Sequence, residues 1–247
     1  MNSHYEDKKL TRMKWLWGPV LLVQGFWVRM KTPKLPEPAM RRSGVVGKGQ
    51  ALRLLLLGDS SAAGVGAEKP EEGLLGQLLE QLRSEYTVHF EMLAKTGYTT
   101  VDAIEQLRTS EARPVDVVVT ALGVNDVTSQ LNSQQWLAQQ TELLGLIIER
   151  YNPTQIIVSG LPPVADFPAL PWPLNQYLGR RADLFDQTLP AELADIKPAE
   201  FLSLRGWPKS ALPASDGFHP GPSVYRLWAQ KISERISHKR KNGPTGD

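Results

Sequence analysis

The 247-residue sequence contains no cysteine, which excludes a disulfide framework, a thiol nucleophile and thiolate metal sites. It is also poor in histidine, with four in all, so few side chains can serve as a base near neutral pH. No cluster of His, Asp and Glu has metal-ligand spacing, and the glycine-rich segment GVGAEK lacks the Walker spacing. We therefore expect neither a metal nor a cofactor.

The body of the chain lacks an excess of positive charge. Residues 1–53 hold eleven Lys and Arg against three Asp and Glu, whereas the remainder holds seventeen against 23. The basic character therefore belongs to an N-terminal arm, and the body is mildly acidic. Because enzymes that act on nucleic acid more often carry positive charge around their site, nucleic acid is not an expected partner.

The apolar stretch of the arm is too short to span a bilayer as a helix, which takes about 20 residues. Residues 15–28 are apolar and aromatic, Lys and Arg flank them on both sides, and no small-residue cleavage site follows. Three interpretations stay open: binding of a membrane surface through residues 1–34, a helix packed on the protein's own surface, or a cleaved secretion signal. We expect a cytoplasmic or peripherally membrane-associated protein rather than a secreted one, of undetermined oligomeric state.

Composition divides the chain into three parts. Residues 31–49 are rich in proline, glycine and charge, which predicts a linker or an extended strap. The predicted parts are an arm and linker at residues 1–50, one domain at 51–238, and a basic, flexible tail at 239–247.

Within the domain, short apolar runs alternate with segments of helical periodicity. The pattern predicts strands at residues 52–57, 87–92, 115–123, 154–160 and 199–204. It predicts helices at residues 71–86, 99–108, 133–151, 174–194 and 222–236. The strict alternation at 87–92 is typical of a half-exposed strand at a sheet edge. Five strands alternating with helices predict an α/β fold with a parallel sheet covered on both faces.

Polar or glycine motifs follow the first three strands, and a fourth motif precedes the last helix. They are Gly58-Asp59-Ser60, Gly97, Gly123-Val124-Asn125-Asp126 and Asp216-Gly217-Phe218-His219. Each motif alone could be a turn or a helix cap. Because ligands bind beyond the carboxyl ends of parallel strands, we expect all four to converge on one rim of the sheet.

The ordered set resembles the SGNH (GDSL) hydrolase family of esterases and lipases over about residues 52–238. The resemblance implies a three-layer α/β/α sandwich of the flavodoxin-like type, with a central five-stranded parallel sheet. It also implies that Ser60 is the nucleophile, with His219 as its base and Asp216 behind the histidine. In the family the oxyanion hole would be formed by the N–H of Ser60, the N–H of Gly97 and the side chain of Asn125.

The residues themselves agree with these roles. A serine hydroxyl needs a neighbouring base, and His219 stands in a turn between glycine and proline, three residues after Asp216. By contrast, His89 falls on the polar face of its strand, and the other two histidines lie in terminal segments. Ser61 follows Ser60, and a helical turn would rotate its side chain by about 100° away from the base.

Asp59 and Asp126 have no chemical role that we can derive, and we expect them to shape their loops. The sequence therefore predicts a serine hydrolase that cleaves carboxylic esters or thioesters of small acyl or lipid type through an acyl-enzyme. A carbohydrate O-acetylesterase is the alternative within this chemistry, and a catalytically silent binding module is the alternative outside it. An insertion at residues 162–177 places four apolar residues near the rim: Val164, Phe167, Leu170 and Trp172. They predict either an apolar wall for an acyl chain or packing of the insertion on the protein surface.

Overall fold

The computed structural model describes residues 3–208 and 210–242. Its strands are β1 (Ser43–Val46), β2 (Gln50–Gly58), β3 (Tyr86–Ala94), β4 (Val117–Ala121), β5 (Gln155–Ser159) and β6 (Ala199–Leu202). Its α-helices are α1 (Ser3–Lys31), α2 (Leu74–Leu82), α3 (Thr100–Thr109), α4 (Val124–Val127), α5 (Ser133–Tyr151), α6 (Leu174–Leu193) and α7 (Pro222–Asn242). Short 3-10 helices lie at Pro70–Glu72 and Val164–Asp166.

The strands form one sheet in the order β1-β3-β2-β4-β5-β6. From β3 to β6 every pair of neighbours is parallel, which confirms the predicted α/β fold. β1 is a sixth strand, antiparallel to β3, in the segment whose composition predicted a linker or an extended strap. Its four residues are too few to show a periodic pattern. Because β1 covers β3, the strand predicted at the sheet edge is an inner one.

The leucine run of β2 fills the cores on both faces of the sheet. Leu55 and Leu57 belong to the cluster formed with α3, α5 and α6, whereas Leu54 and Leu56 belong to the cluster formed with α2 and α7. Successive side chains of a strand point to opposite faces, so an unbroken apolar run serves two layers. Each buried leucine contributes about 1.5–3 kcal/mol. The result is the three-layer α/β/α sandwich that the resemblance implied.

Two helices, α2 and α7, have bounds that differ clearly from the predicted ones. α2 is shorter, because a 3-10 helix occupies Pro70–Glu72 and Tyr86 already begins β3. α7 extends into the segment predicted as a flexible tail, where Arg240 pairs with Asp116 at 3.4 Å and lies over the ring of Tyr86. The remaining residues of that predicted tail, 243–247, lie outside the described residues.

The N-terminal arm is the helix α1, which lies against α6. Its own Leu10 and Leu21 are buried, and the side chain of its Gln24 accepts a hydrogen bond from the N–H of Leu174 at 3.2 Å. Large apolar side chains on the opposite side are at least 68% exposed: Trp15, Leu16, Leu22, Val23, Phe26 and Met30. In the described part of the chain, no helix has both the length and the apolarity to cross a membrane.

Between α1 and β1 the chain runs as a strap that holds the loop after β3. Glu37 accepts hydrogen bonds from the N–H of Thr96 at 2.9 Å and from its hydroxyl at 2.6 Å. Arg42 pairs with the same carboxylate at 2.7 Å and donates to the carbonyl of Ala94. The strap thereby fixes the exit of β3, where the second predicted motif lies.

Candidate active site

Ser60 lies in a tight turn directly after β2. The N–H of Asp59 bonds to the carbonyl of Ala121 at the end of β4, and the N–H of Val65 bonds back to the carbonyl of Ser60 at 2.9 Å. Within the described residues, no hydrogen bond uses the N–H of Ser60, so this donor is free for a ligand. The turn therefore presents a hydroxyl and a backbone donor at the carboxyl end of the sheet.

His219 faces this serine from the turn before α7. Its Nε2 lies 3.0 Å from the Oγ of Ser60, and its Nδ1 lies 2.5 Å from Oδ2 of Asp216. Gly66 allows the two turns to meet, because its φ is +101° and a Cβ there would lie 2.3 Å from the carbonyl oxygen of Pro220. The geometry brings the three predicted residues into one hydrogen-bonded chain.

Asp216 is held as a carboxylate. Burial acts to raise its pKa, but hydrogen bonds from the His219 ring and from the N–H groups of Phe218 and His219 outweigh it, so the pKa is lowered. A carboxylate at Nδ1 keeps the proton on that nitrogen and leaves Nε2 free to accept from the serine.

Asn125 is the second residue of α4 and lines the cavity next to Ser60. Its Nδ2 donates one hydrogen to the carbonyl of Tyr98 at 2.8 Å, and Oδ2 of Asp59 lies 3.5 Å away. An amide nitrogen carries two hydrogens, and the one that Asn125 shares with Asp59 at 3.5 Å is held so weakly that a substrate oxygen can accept it instead. The carbonyl of Tyr98 thus orients the amide toward the serine.

Gly97 lies one residue before Tyr98, with a φ of +88° and open space where a Cβ would stand. Among the described residues that line the cavity at Ser60, Gly97 does not appear. The structure therefore brings together Ser60, Asn125, Asp216 and His219, and it places Gly97 in the neighbouring turn. Its predicted part in an oxyanion hole stays a prediction.

Asp59 and Asp126 are buried carboxyl groups behind these loops. Burial raises the pKa of Asp59 to about 7 and that of Asp126 to about 6, despite the hydrogen bonds that each accepts. Asp59 accepts from the N–H of Ser61 at 2.8 Å, and Asp126 accepts from the N–H and hydroxyl of Thr100. These contacts agree with the expectation that both carboxyl groups shape their loops.

Ser60 and His219 open onto a cavity of about 170 Å³. Its walls are mainly apolar, with Leu122, Phe167, Leu204, Trp207, Val224 and Trp228 among the lining residues. Of the four apolar residues that the insertion contributed to the predicted wall, the described lining includes only Phe167. Val164 is instead buried in the core, and Trp172 packs edge-on against Trp17 of α1.

Two residues that contribute to the site, Tyr98 and Tyr225, were not predicted from the sequence. Tyr98 acts through its backbone carbonyl, which no side-chain pattern reveals. Tyr225 is buried, and its hydroxyl donates to the carbonyl of Val65 at 2.5 Å, which ties the serine turn to α7. Its position on the buried side of a helix predicts core packing, so the sequence carries no sign of this contact.

Comparison of whole structures identifies other proteins with this fold. A member of the lipolytic protein G-D-S-L family from Veillonella parvula superposes with a TM-score of 0.57 at 16% identity, covering 75% of this chain and 98% of that one. The psychrotrophic esterase EstA from Pseudoalteromonas sp. has a TM-score of 0.56 at 20% identity, covering 77% and 99%. The acetylxylan esterase Axe2 from Geobacillus stearothermophilus has a TM-score of 0.52 at 16% identity, covering 76% and 95%.

Comparison of sequences gives a family but no individual relative. Among curated protein sequences, none matches this chain significantly. The model of the GDSL-like Lipase/Acylhydrolase family matches residues 56–227, a range that contains the serine turn, Asn125 and the Asp216–His219 turn. Since the match spans well over half of the sequence, this chain belongs to the GDSL-like lipase and acylhydrolase family.

Proposed function

We propose that this protein is a serine hydrolase that cleaves carboxylic esters through an acyl-enzyme, with Ser60 as the nucleophile. The observation that carries the proposal is the chain of hydrogen bonds from the Ser60 hydroxyl through His219 to the Asp216 carboxylate, at 3.0 and 2.5 Å. A serine hydroxyl is a weak nucleophile unless such a base accepts its proton in the transition state.

The proposed reaction has two steps, acylation of Ser60 and hydrolysis of the acyl-enzyme. Oγ of Ser60 bonds to the ester carbonyl carbon while its proton passes to Nε2 of His219, and the carbonyl oxygen becomes an oxyanion. The intermediate collapses, the bond to the alcohol oxygen breaks, and His219 returns the proton to that oxygen. Water then attacks the acyl-enzyme by the same route, which releases the carboxylic acid and restores the serine.

The oxyanion needs donors that are already in position. The unused N–H of Ser60 and the second hydrogen of the Asn125 amide meet this requirement. Backbone hydrogen bonds fix the Ser60 turn and the carbonyl of Tyr98 holds the Asn125 amide, so little reorganisation accompanies the reaction. The N–H of Gly97 would be a third donor if its loop closes over a substrate.

The cavity beside Ser60 favours an apolar substituent on the ester. Its volume of about 170 Å³ is close to that of an engineered cavity of about 150 Å³ that holds benzene, so it encloses only a short group. A small acyl group on a sugar, as in a carbohydrate O-acetylesterase, would also meet this size limit. Thioesters present the same carbonyl carbon and belong to the same proposal.

A panel of substrates tests the reaction and separates the alternatives. We expect hydrolysis of p-nitrophenyl acetate, butyrate and hexanoate, and a fluorophosphonate probe should label Ser60. Ser60→Ala should lose both labelling and hydrolysis, whereas Ser61→Ala should keep both. An adduct located on Ser61 by mass spectrometry would contradict the assignment, and preference for acetylated xylan over every free acyl ester would favour the O-acetylesterase.

We also propose that α1 attaches the protein peripherally to an anionic membrane surface. The outward side of the helix exposes Leu16, Val23 and Trp27, and Lys8, Lys9, Arg12, Arg29 and Lys31 lie at its two ends. Apolar side chains can enter the headgroup region while basic ones pair with lipid phosphates. Such a location suits an esterase whose substrates dissolve poorly in water.

A further inference from the structure

A second and larger cavity, of about 1150 Å³, lies between α1 and the domain. We name it the α1 groove. One wall is formed by α1, and the other by α6 and the loop that follows α4, with Leu131, Leu174 and Leu178 among the apolar residues. Its volume lies somewhat above the range of about 300–1,000 Å³ for small-molecule sites. The groove is large enough for a ligand of substantial size.

The α1 groove and the cavity at Ser60 are neighbours. Phe218 lines both of them, and its ring lies edge-on to the adjacent His219 at 5.4 Å between centroids. Two further elements also contribute to both cavities. In α4 and its C-cap, Asn125 faces the first and Thr128 the second; in the insertion, Phe167 lines the first and Leu170 the second. Phe218 is therefore a shared wall, and the groove lies on the far side of this ring from Ser60.

Two glycines on α1 keep the groove open. Gly18 and Gly25 both line it, and a Cβ added at either position would meet no atom within 4 Å. They are seven residues apart, which places them on the same side of a helix with 3.6 residues per turn. Glycine inside a helix is unfavourable relative to alanine, so the sequence accepts this cost where a side chain would narrow the groove.

The outer rim of the groove is continuous with the apolar surface of α1. Trp15, Leu22 and Phe26 line the groove, yet each is at least 68% exposed. Lys14 and Arg29 also line it, near the two ends of the apolar segment. An amphiphile at a membrane surface therefore meets apolar side chains continuously from the rim of the groove inward.

Building on the proposed ester hydrolysis, we propose that the α1 groove binds the long acyl chain of an amphiphilic ester whose carbonyl group lies at Ser60. The catalytic cavity encloses a group of about the size of benzene, so a longer chain must continue elsewhere. The groove is apolar, adjacent and large enough to receive it. The family model begins at residue 56, so α1 adds a specificity-determining wall that lies outside the family match.

The test compares the chain-length profile of the full-length protein with that of variants in which the groove is filled. In the wild type, kcat/KM should keep rising from p-nitrophenyl hexanoate to the dodecanoate, by up to about fourfold for each buried methylene. In Gly18→Phe/Gly25→Phe the rise beyond hexanoate should fall by at least about tenfold, while acetate hydrolysis stays within twofold. Gly145→Phe on α5 is the matched control, because its Cβ also meets open space and it lines neither cavity.

An equal dodecanoate-to-acetate ratio in the wild type and the filled variant would overturn the proposal while ester hydrolysis stands. Circular dichroism checks that the double variant folds. If it does not, Gly18→Phe and Gly25→Phe are measured singly, and each should lower the dodecanoate-to-acetate ratio by a smaller factor. A binding measurement is independent of catalysis: Ser60→Ala should bind the fluorescent fatty acid 11-(dansylamino)undecanoic acid, and filling the groove should weaken binding at least tenfold. If no ester is hydrolysed, the proposed reaction is wrong, and the binding measurement alone tests whether the α1 groove holds an acyl chain.

Discussion

The serine turn and helix α1 differ in how far their side chains are buried. Around Ser60, four segments far apart in the chain meet with backbone hydrogen bonds, buried carboxyl groups and few exposed apolar atoms. Along α1, one side packs on the domain while the other leaves Trp15 83% exposed and Leu16 79% exposed. Contiguous exposed apolar surface is rare in monomeric soluble proteins and marks an interaction site. The first region therefore supports the proposed reaction, and the second supports the proposed binding.

The largest loss of turnover is expected from substitution of His219, the proposed catalytic base, and of Asp216 beside it. His219→Ala should remove nearly all turnover, because Ser60 then has no proton acceptor. Asp216→Asn should lower kcat by about 10⁴, as the corresponding change does in a serine protease, because the wrong imidazole tautomer is favoured. Steady-state kinetics on p-nitrophenyl butyrate measures both. His89→Ala, on an exposed position of β3, is the control, and a fully active His219 variant would locate the reaction elsewhere.

Removal of an oxyanion donor should have a smaller effect. Asn125→Ala should lower kcat by about 10²–10³ with little change in KM, because the amide interacts with the transition-state charge rather than with the ground state. Asn175→Ala is the matched control, since that amide donates to the carbonyl of Ala165 away from the serine. A loss confined to KM would assign Asn125 to substrate binding instead.

The buried carboxyl group of Asp59 predicts an unusual dependence of stability on pH. Its pKa of about 7 lies above the ordinary value of 3.8, so between these values the folded state binds more protons than the unfolded state. Stability must then fall as pH rises, and between pH 5 and pH 8 this group alone should cost about 2–3 kcal/mol. Asp59→Asn should remove that part of the slope in urea unfolding at several pH values.

Asp195→Asn, at an exposed position after α6, controls for the loss of one negative charge in the same measurement. A wild-type protein whose stability rises between pH 5 and pH 8, or an unchanged slope in Asp59→Asn, would contradict the protonated state of this carboxyl group. The result bears on the serine turn alone, since α1 contributes no group to the contacts of Asp59.

The smallest effect is expected on α1. Leu16→Gln/Val23→Gln/Trp27→Gln should weaken binding to vesicles that contain phosphatidylserine by at least about tenfold, because about 1.4 kcal/mol of lost apolar transfer suffices. Hydrolysis of p-nitrophenyl acetate should stay unchanged, since none of the three lines either cavity. Val101→Gln, an exposed valine of α3, is the control in co-sedimentation. Equal binding by all three proteins, or no binding by the wild type, would remove the membrane proposal.

The predictable part of the structure is the part encoded by local pattern. The leucine run of β2 predicted a strand buried on both faces, and the periodicity of residues 133–151 predicted α5 with its observed ends. β1 escaped prediction because four residues carry no period, and its pairing with β3 is decided by the neighbouring strand. The wall of the catalytic cavity was also mostly missed, because Leu204, Trp207 and Trp228 come from segments without a shared motif.

By itself, the sequence determined the order of strands and helices and the residues at the ends of β2 and β4, because burial and turn chemistry act over a few neighbouring residues. It also determined that Asp216 and His219 lie in one turn, since three residues separate them. Only the tertiary structure brought His219 within 3.0 Å of Ser60, 159 residues away in the chain, and oriented Asn125 by a carbonyl of the β3 loop. It alone decided that the two glycines of α1 leave a groove beside Phe218, because a cavity depends on how distant surfaces meet.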